Sequence, residues 1–147
     1  MNIKLIDHTE AYVDLVLQSF EAQIRILHSL GHHSERSQHI ENLRQMAVAL
    51  LKIIDEDKKE RLEGIEKIAN ACVNEFEAMH DTLAALAATS NDSSVRGSIT
   101  QMDDAQNRVV HNVGKKEAEV NNTLIQRYNA MREKVELTLA QVDALKC

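Results

Sequence analysis

Apolar residues recur at three- and four-residue steps along almost the whole chain, and no proline interrupts them anywhere in its 147 residues. That spacing places them on one side of an α-helix, whereas strands need alternation. Only four glycines are present, so most of the punctuation that hairpins and tight β-turns require is missing. Aromatic residues make up 3% and tryptophan is absent. A β-sandwich, a barrel and a glycine-loop nucleotide fold are therefore excluded, and the chain is expected to be all-α.

Three stripes define the elements. The first is Val13, Val16, Leu17, Phe20, Ile24 and Leu27. Asp7 and Glu10 before it have the spacing of a capping box, and Gly31 after it is a natural left-handed terminator. Helix 1 is expected at about 9–30. After the polar link His32-His33-Ser34, with Ser34 or Ser37 as a cap, comes Ile40, Leu43, Ala47, Leu50 and Ile54. The stripe resumes with Ile65, Ile68, Cys72, Phe76, Met79, Leu83 and Leu86.

Between those halves lies DEDKKERLE, residues 55–63. It could be a turn, with a break near 55–60, or a solvated stretch of one helix. The run has no Gly, Pro, Asn or Ser, and it sets Asp55/Lys59, Asp57/Arg61 and Glu63/Lys67 four apart, acid before base. Each such pair supports helix by roughly 0.2–0.5 kcal/mol. A continuous helix 2 over about 36–88 is favoured.

TSNDSSVRG (89–97) is the strongest loop, since Ser, Asn and Asp compete for backbone hydrogen bonds. Helix 3 then runs from about 98 to 145. Its stripe is Ile99, Met102, Val109, Val113, Val120, Leu124, Tyr128, Met131, Val135, Leu139, Val142 and Leu145, with a thin middle around Gly114. Helices 2 and 3 have nearly equal lengths on either side of one loop. They are expected to pair as a long antiparallel hairpin, residue i opposite about 186 − i, within a single all-helical domain. Helix 1 would dock at the open end to complete a helical bundle or coiled coil. No repeat, low-complexity tract or domain linker interrupts the chain.

Composition bounds the function. A net charge of −6 with scattered basic residues disfavours nucleic acid, which selects clustered Lys and Arg. No apolar run reaches the roughly 20 residues of a membrane span. The opening MNIKLIDHTE lacks the apolar core of a secretory signal. Two cysteines, Cys72 and Cys147, make no disulfide framework and suit a reducing, cytoplasmic setting. Cys72 falls on the stripe and reads as core, while Cys147 is a candidate for cross-linking copies.

His28, His32, His33 and His39 crowd the first junction together with Glu35. They are the candidate metal ligands or pH-responsive groups, set against the commoner reading of polar residues at a helix junction. No nucleophile–base–orienter spacing is present, no cofactor is implied, no small-molecule substrate is evident, and a non-enzymatic role is expected.

A pair of helices rarely covers two apolar stripes by itself, so a protein partner is expected, most simply in a homo-oligomer. The candidate contact residues are Ile65, Ile68, Phe76, Met79 and Leu83 on helix 2, with Met102, Val109 and Val113 on helix 3. Met46, Met79, Met102 and Met131 lie at stripe positions, as core filling or as adaptable contact surface. The function expected is a scaffold or adaptor acting by bundle completion or oligomerisation. The alternative is a small acidic helical chaperone or inhibitor that holds a partner's helix.

Overall fold

The structure, a computed structural model, describes residues 4–31 and 34–146, with side chains from Ile6 onward. It is all-α. Three helices, α1 (Lys4–Leu30), α2 (Arg36–Ala88) and α3 (Ser93–Ala144), account for nearly all of the described residues, and none of these residues lies in a strand. By contact density the chain divides into two units: Met1–Glu60 with Leu124–Cys147, and Arg61–Thr123.

The core lies in the first unit. Val13, Leu17, Phe20, Ile24 and Leu27 of α1 are buried at steps of four, three, four and three. Ile40, Leu43, Ala47, Leu50 and Ile54 do the same on α2, and Leu124, Tyr128, Met131, Val135, Thr138, Val142 and Leu145 from Leu124 onward. Each full burial of a large apolar side chain contributes roughly 1.5–3 kcal/mol. Thr138 takes the place the sequence assigned to Leu139, which is half-buried. Its hydroxyl donates to the Lys134 carbonyl at 3.0 Å, so the buried oxygen is satisfied.

Contacts between α2 and α3 in this unit are consistent with the expected antiparallel pairing. Arg44 pairs with Asp143 at 3.4 Å and Lys146 with Glu41 at 3.4 Å; Asp55 meets Arg132, and Asp57 meets Tyr128. Each of these pairs lies one position from the 186 − i register.

Helix starts depart from expectation. α1 begins at Lys4, because Ile6 is fully buried and draws an extra turn into the helix. Asp7 and Glu10 therefore form no capping box and instead pair with Arg127 of α3, Glu10 at 2.7 Å. α2 is unbroken through 55–63. α3 begins at Ser93, five residues earlier than expected, because Asp92 is a better cap than Ser98. The Ser94 N–H and hydroxyl donate to Asp92 Oδ1 at 2.9 and 2.8 Å. Gly97, expected to close the loop, thus lies inside α3, as does Gly114. Only Gly31 acts as read, ending α1 at φ 60°.

Candidate functional site

In Arg61–Thr123 the packing is of another kind. Among the described residues of this unit Ala69 is the one fully buried hydrophobic residue. The large apolar residues of α2 split into two groups. Ile65 and Phe76 are half-buried; Ile68, Met79 and Leu83 are 48%, 60% and 50% exposed. On α3, Met102, Val109 and Val113 are all half-buried. Leu86 (64%) and Val110 (38%) are exposed too and were not singled out from sequence. Cys72, expected in the core, is exposed. The single stripe read from 65 to 86 straddles the sheltered side of α2 and the side next to it, so five of its seven members face water.

A histidine sits on the sheltered side of α2 in this unit. His80 of α2 has Nε2 against Asp103 of α3 and Nδ1 3.4 Å from Asp81. Its side chain is 17% exposed. Hydrogen bonds to Asp103 first and Asp81 second raise the imidazole above its ordinary value, against a smaller opposing effect of desolvation. The corner joining α2 to α3 is short. Thr89 and Ser90 N–H groups donate to the Leu86 and Ala87 carbonyls at 3.2 and 3.0 Å, tightening the last turn of α2. The Asp92 cap then starts α3, and the hydrogen bonds from Ser94 hold that carboxyl below its ordinary range.

The first unit carries a polar joint that sequence periodicity does not reveal. Asp57 Oδ2 accepts from Thr9 Oγ1 of α1 at 3.1 Å and from the Tyr128 hydroxyl of α3 at 2.6 Å. Three helices thereby meet at one carboxylate. The one hint in the sequence is that Asp57 and Tyr128 stand near the 186 − i register.

The junction histidines do not assemble into a metal centre among the described residues, where no group of three or more His, Cys, Asp or Glu is placed to hold an ion. His28 and Glu35 are exposed, and His39 has Nε2 2.9 Å from Gln23 Oε1. His32, His33 and Cys147 lie outside the described residues. Beside His39 runs an open groove of about 700 Å³ between the end of α1 and the start of α2, lined by Ile26, Leu30, Arg36 and Asn42 among others. Arg36 Nε donates to the Leu27 carbonyl at 3.1 Å and so satisfies a terminal acceptor of α1. Met46 of α2 is exposed, whereas Met131 is buried. No described helix is long and apolar enough to cross a membrane. No protein-family model, curated protein or solved structure matches this chain.

Proposed function

We propose that this chain is a non-catalytic protein–protein interaction module, a scaffold or adaptor that presents the helical surface of residues 61–123 for bundle completion or oligomerisation. In this reading α2 and α3 pair as the antiparallel hairpin expected from their lengths. The cross-helix contacts Asp55–Arg132 in one unit and His80–Asp103 in the other support that pairing.

The observation that carries the reading is the contrast in burial. The first unit has a continuous apolar core, while 61–123 leaves Ile68, Met79, Leu83 and Leu86 between 48% and 64% exposed on one helix. Single exposed apolar residues are ordinary, but a row of them over five helical turns marks a contact surface. A second reading, the helical chaperone or inhibitor, draws on the groove beside His39, where Ile26 and Leu30 are 58% and 53% exposed.

Sedimentation equilibrium combined with deuterium exchange tests the choice. Association that slows exchange in 61–123 supports the scaffold. A chain that stays monomeric, and gains protection around Ile26 and Leu30 when a partner helix is added, supports the chaperone and refutes the scaffold. Phe76→Asp weakens scaffold association by about 2 kcal/mol or more, roughly 30-fold. Phe76 also touches the sheltered side, so Met79→Asp, at an exposed position, provides the variant that spares folding.

A further inference from the structure

Between Ala69 and Ala87 the residues that α2 shelters are Ala69, Val73, Phe76, His80, Ala84 and Ala87. One position before each of these stand Ile68, Cys72, Glu75, Met79, Leu83 and Leu86, and all six are exposed. One residue is about 100° around a helix, so α2 carries two lengthwise stripes side by side. Toward the corner the order of sizes is inverted: alanines are sheltered at 84 and 87 while leucines at 83 and 86 face water. A helix whose only apolar contact were the sheltered one would place bulk there and small residues outside.

We propose that the outward stripe Ile68–Leu86 is the seam for a second copy of this chain, packed antiparallel about a twofold axis beside Glu77. The proposal rests on the interaction-module reading and names its occupant. Three observations select a second copy.

The first is spacing. Positions 68, 72, 75, 79, 83 and 86 are symmetric about 77 to within one residue, so Ile68 of one copy meets Leu86 of the other. Cys72 likewise meets Thr82–Leu83, and Glu75 meets Met79. An isologous contact requires this self-matching, and a three-four spacing is that of helices packed knobs into holes.

The second is charge. The chain carries −6 overall, yet Glu75 is the one charged residue in the stripe. The neighbouring acids Glu77 and Asp81 lie about 160° around α2 from Met79, and Asp103 is engaged with His80. Each copy therefore brings one carboxylate to the seam, the two Glu75 side chains about 6 Å apart along the axis, and a strongly basic partner helix would find a single carboxylate to pair with.

The third is area. A half-exposed apolar side chain offers on the order of 60 Å², so the five apolar members offer roughly 300 Å² per copy. Twofold symmetry doubles that, and with the usual polar rim the contact reaches about 1,000 Å², the lower bound for a specific interface.

The test is a register-specific cross-link in the full chain. In a Cys147→Ser background, Thr82→Cys places a thiol opposite the native Cys72 of the other copy, within reach of a disulfide or a short bis-maleimide. Cys72 and its own symmetry mate would lie about 15 Å apart along the axis, and Asn74→Cys, on another side of α2, serves as the control. The expected result is a dimer in sedimentation that cross-links through residue 82 and not residue 74. Leu83→Asp should weaken it at least 30-fold with helicity unchanged. A dimer that lacks the 72–82 cross-link and ignores Leu83→Asp overturns the seam while leaving the interaction-module reading standing. A chain that stays monomeric throughout the micromolar range overturns the second copy as occupant.

Discussion

Removing one oxygen from Tyr128 should measurably loosen the first unit. Its ring is buried to 1% exposure among the apolar residues of the core, so Tyr128→Phe keeps the packing and deletes only the hydroxyl. That hydroxyl donates to Asp57 Oδ2 at 2.6 Å, a short bond to a carboxylate that also accepts from Thr9. Hydrogen bonds to charged groups contribute about 1.5–3 kcal/mol. Asp57 is only half-buried, and water replaces part of what is lost, which brings the expected cost to about 1–2 kcal/mol. For a chain of this length that is a fall in Tm of roughly 3–6 °C.

The assay is urea unfolding of the wild type, Tyr128→Phe, Asp57→Ala and the double variant. In the double-mutant cycle the two changes should couple by about 1 kcal/mol or more, since each removes the other's partner. Additive effects, or a Tyr128→Phe variant within about 0.3 kcal/mol of wild type, would refute the claim that this contact ties α3 to the other helices.

Other expectations follow from the same structure. Phe20→Ala, at a position with 0% exposure, should cost roughly 3–5 kcal/mol, and Phe76→Ala clearly less because that ring is only partly buried. Chemical denaturation of both variants measures the difference. Gly97→Ala and Gly114→Ala should each stabilise by roughly 0.5–1 kcal/mol, since nothing lies within 4 Å of an added methyl. Gly31→Ala should destabilise by about 1–2 kcal/mol because φ is 60° there. NMR titration should place the His80 midpoint above 6.5, with Asp103→Asn lowering it. Because the folded value is the raised one, the stabilising contact is fully present below pH 6.5 and is lost as pH rises through the folded midpoint.

Some of this was legible in the sequence and some was not. Five of the six α1 stripe residues and all five of the proximal α2 stripe were readable as core because their three-four steps coincide with the buried side of each helix. From Ile65 to Leu86 the same reading blurred, since two apolar sides one residue apart merge into one stripe at three-four spacing. That is why Cys72 was placed inside, and why Leu86, a member of the stripe, was left out of the contact candidates. The helix starts misled for a local reason. Asp7 and Ser98 are acceptable caps, but burial of Ile6 and the double acceptance at Asp92 extended the helices past them. The Asp57 joint lay beyond reach, because tertiary polar contacts leave no periodic trace.

The corner at 89–92 has a practical consequence. Its residues are mostly exposed; the Asp92 carboxylate caps through Ser94 downstream, while the Asp92 N–H donates to Ser90 Oγ at 3.2 Å. Extra residues placed between Ser90 and Asn91 would give up that one exposed hydrogen bond and keep the Ser94–Asp92 cap, and lengthening a connection adds only a few tenths of a kcal/mol per modest increment. A fluorescent or affinity insert at that point would therefore report on the chain from within, without consuming either terminus.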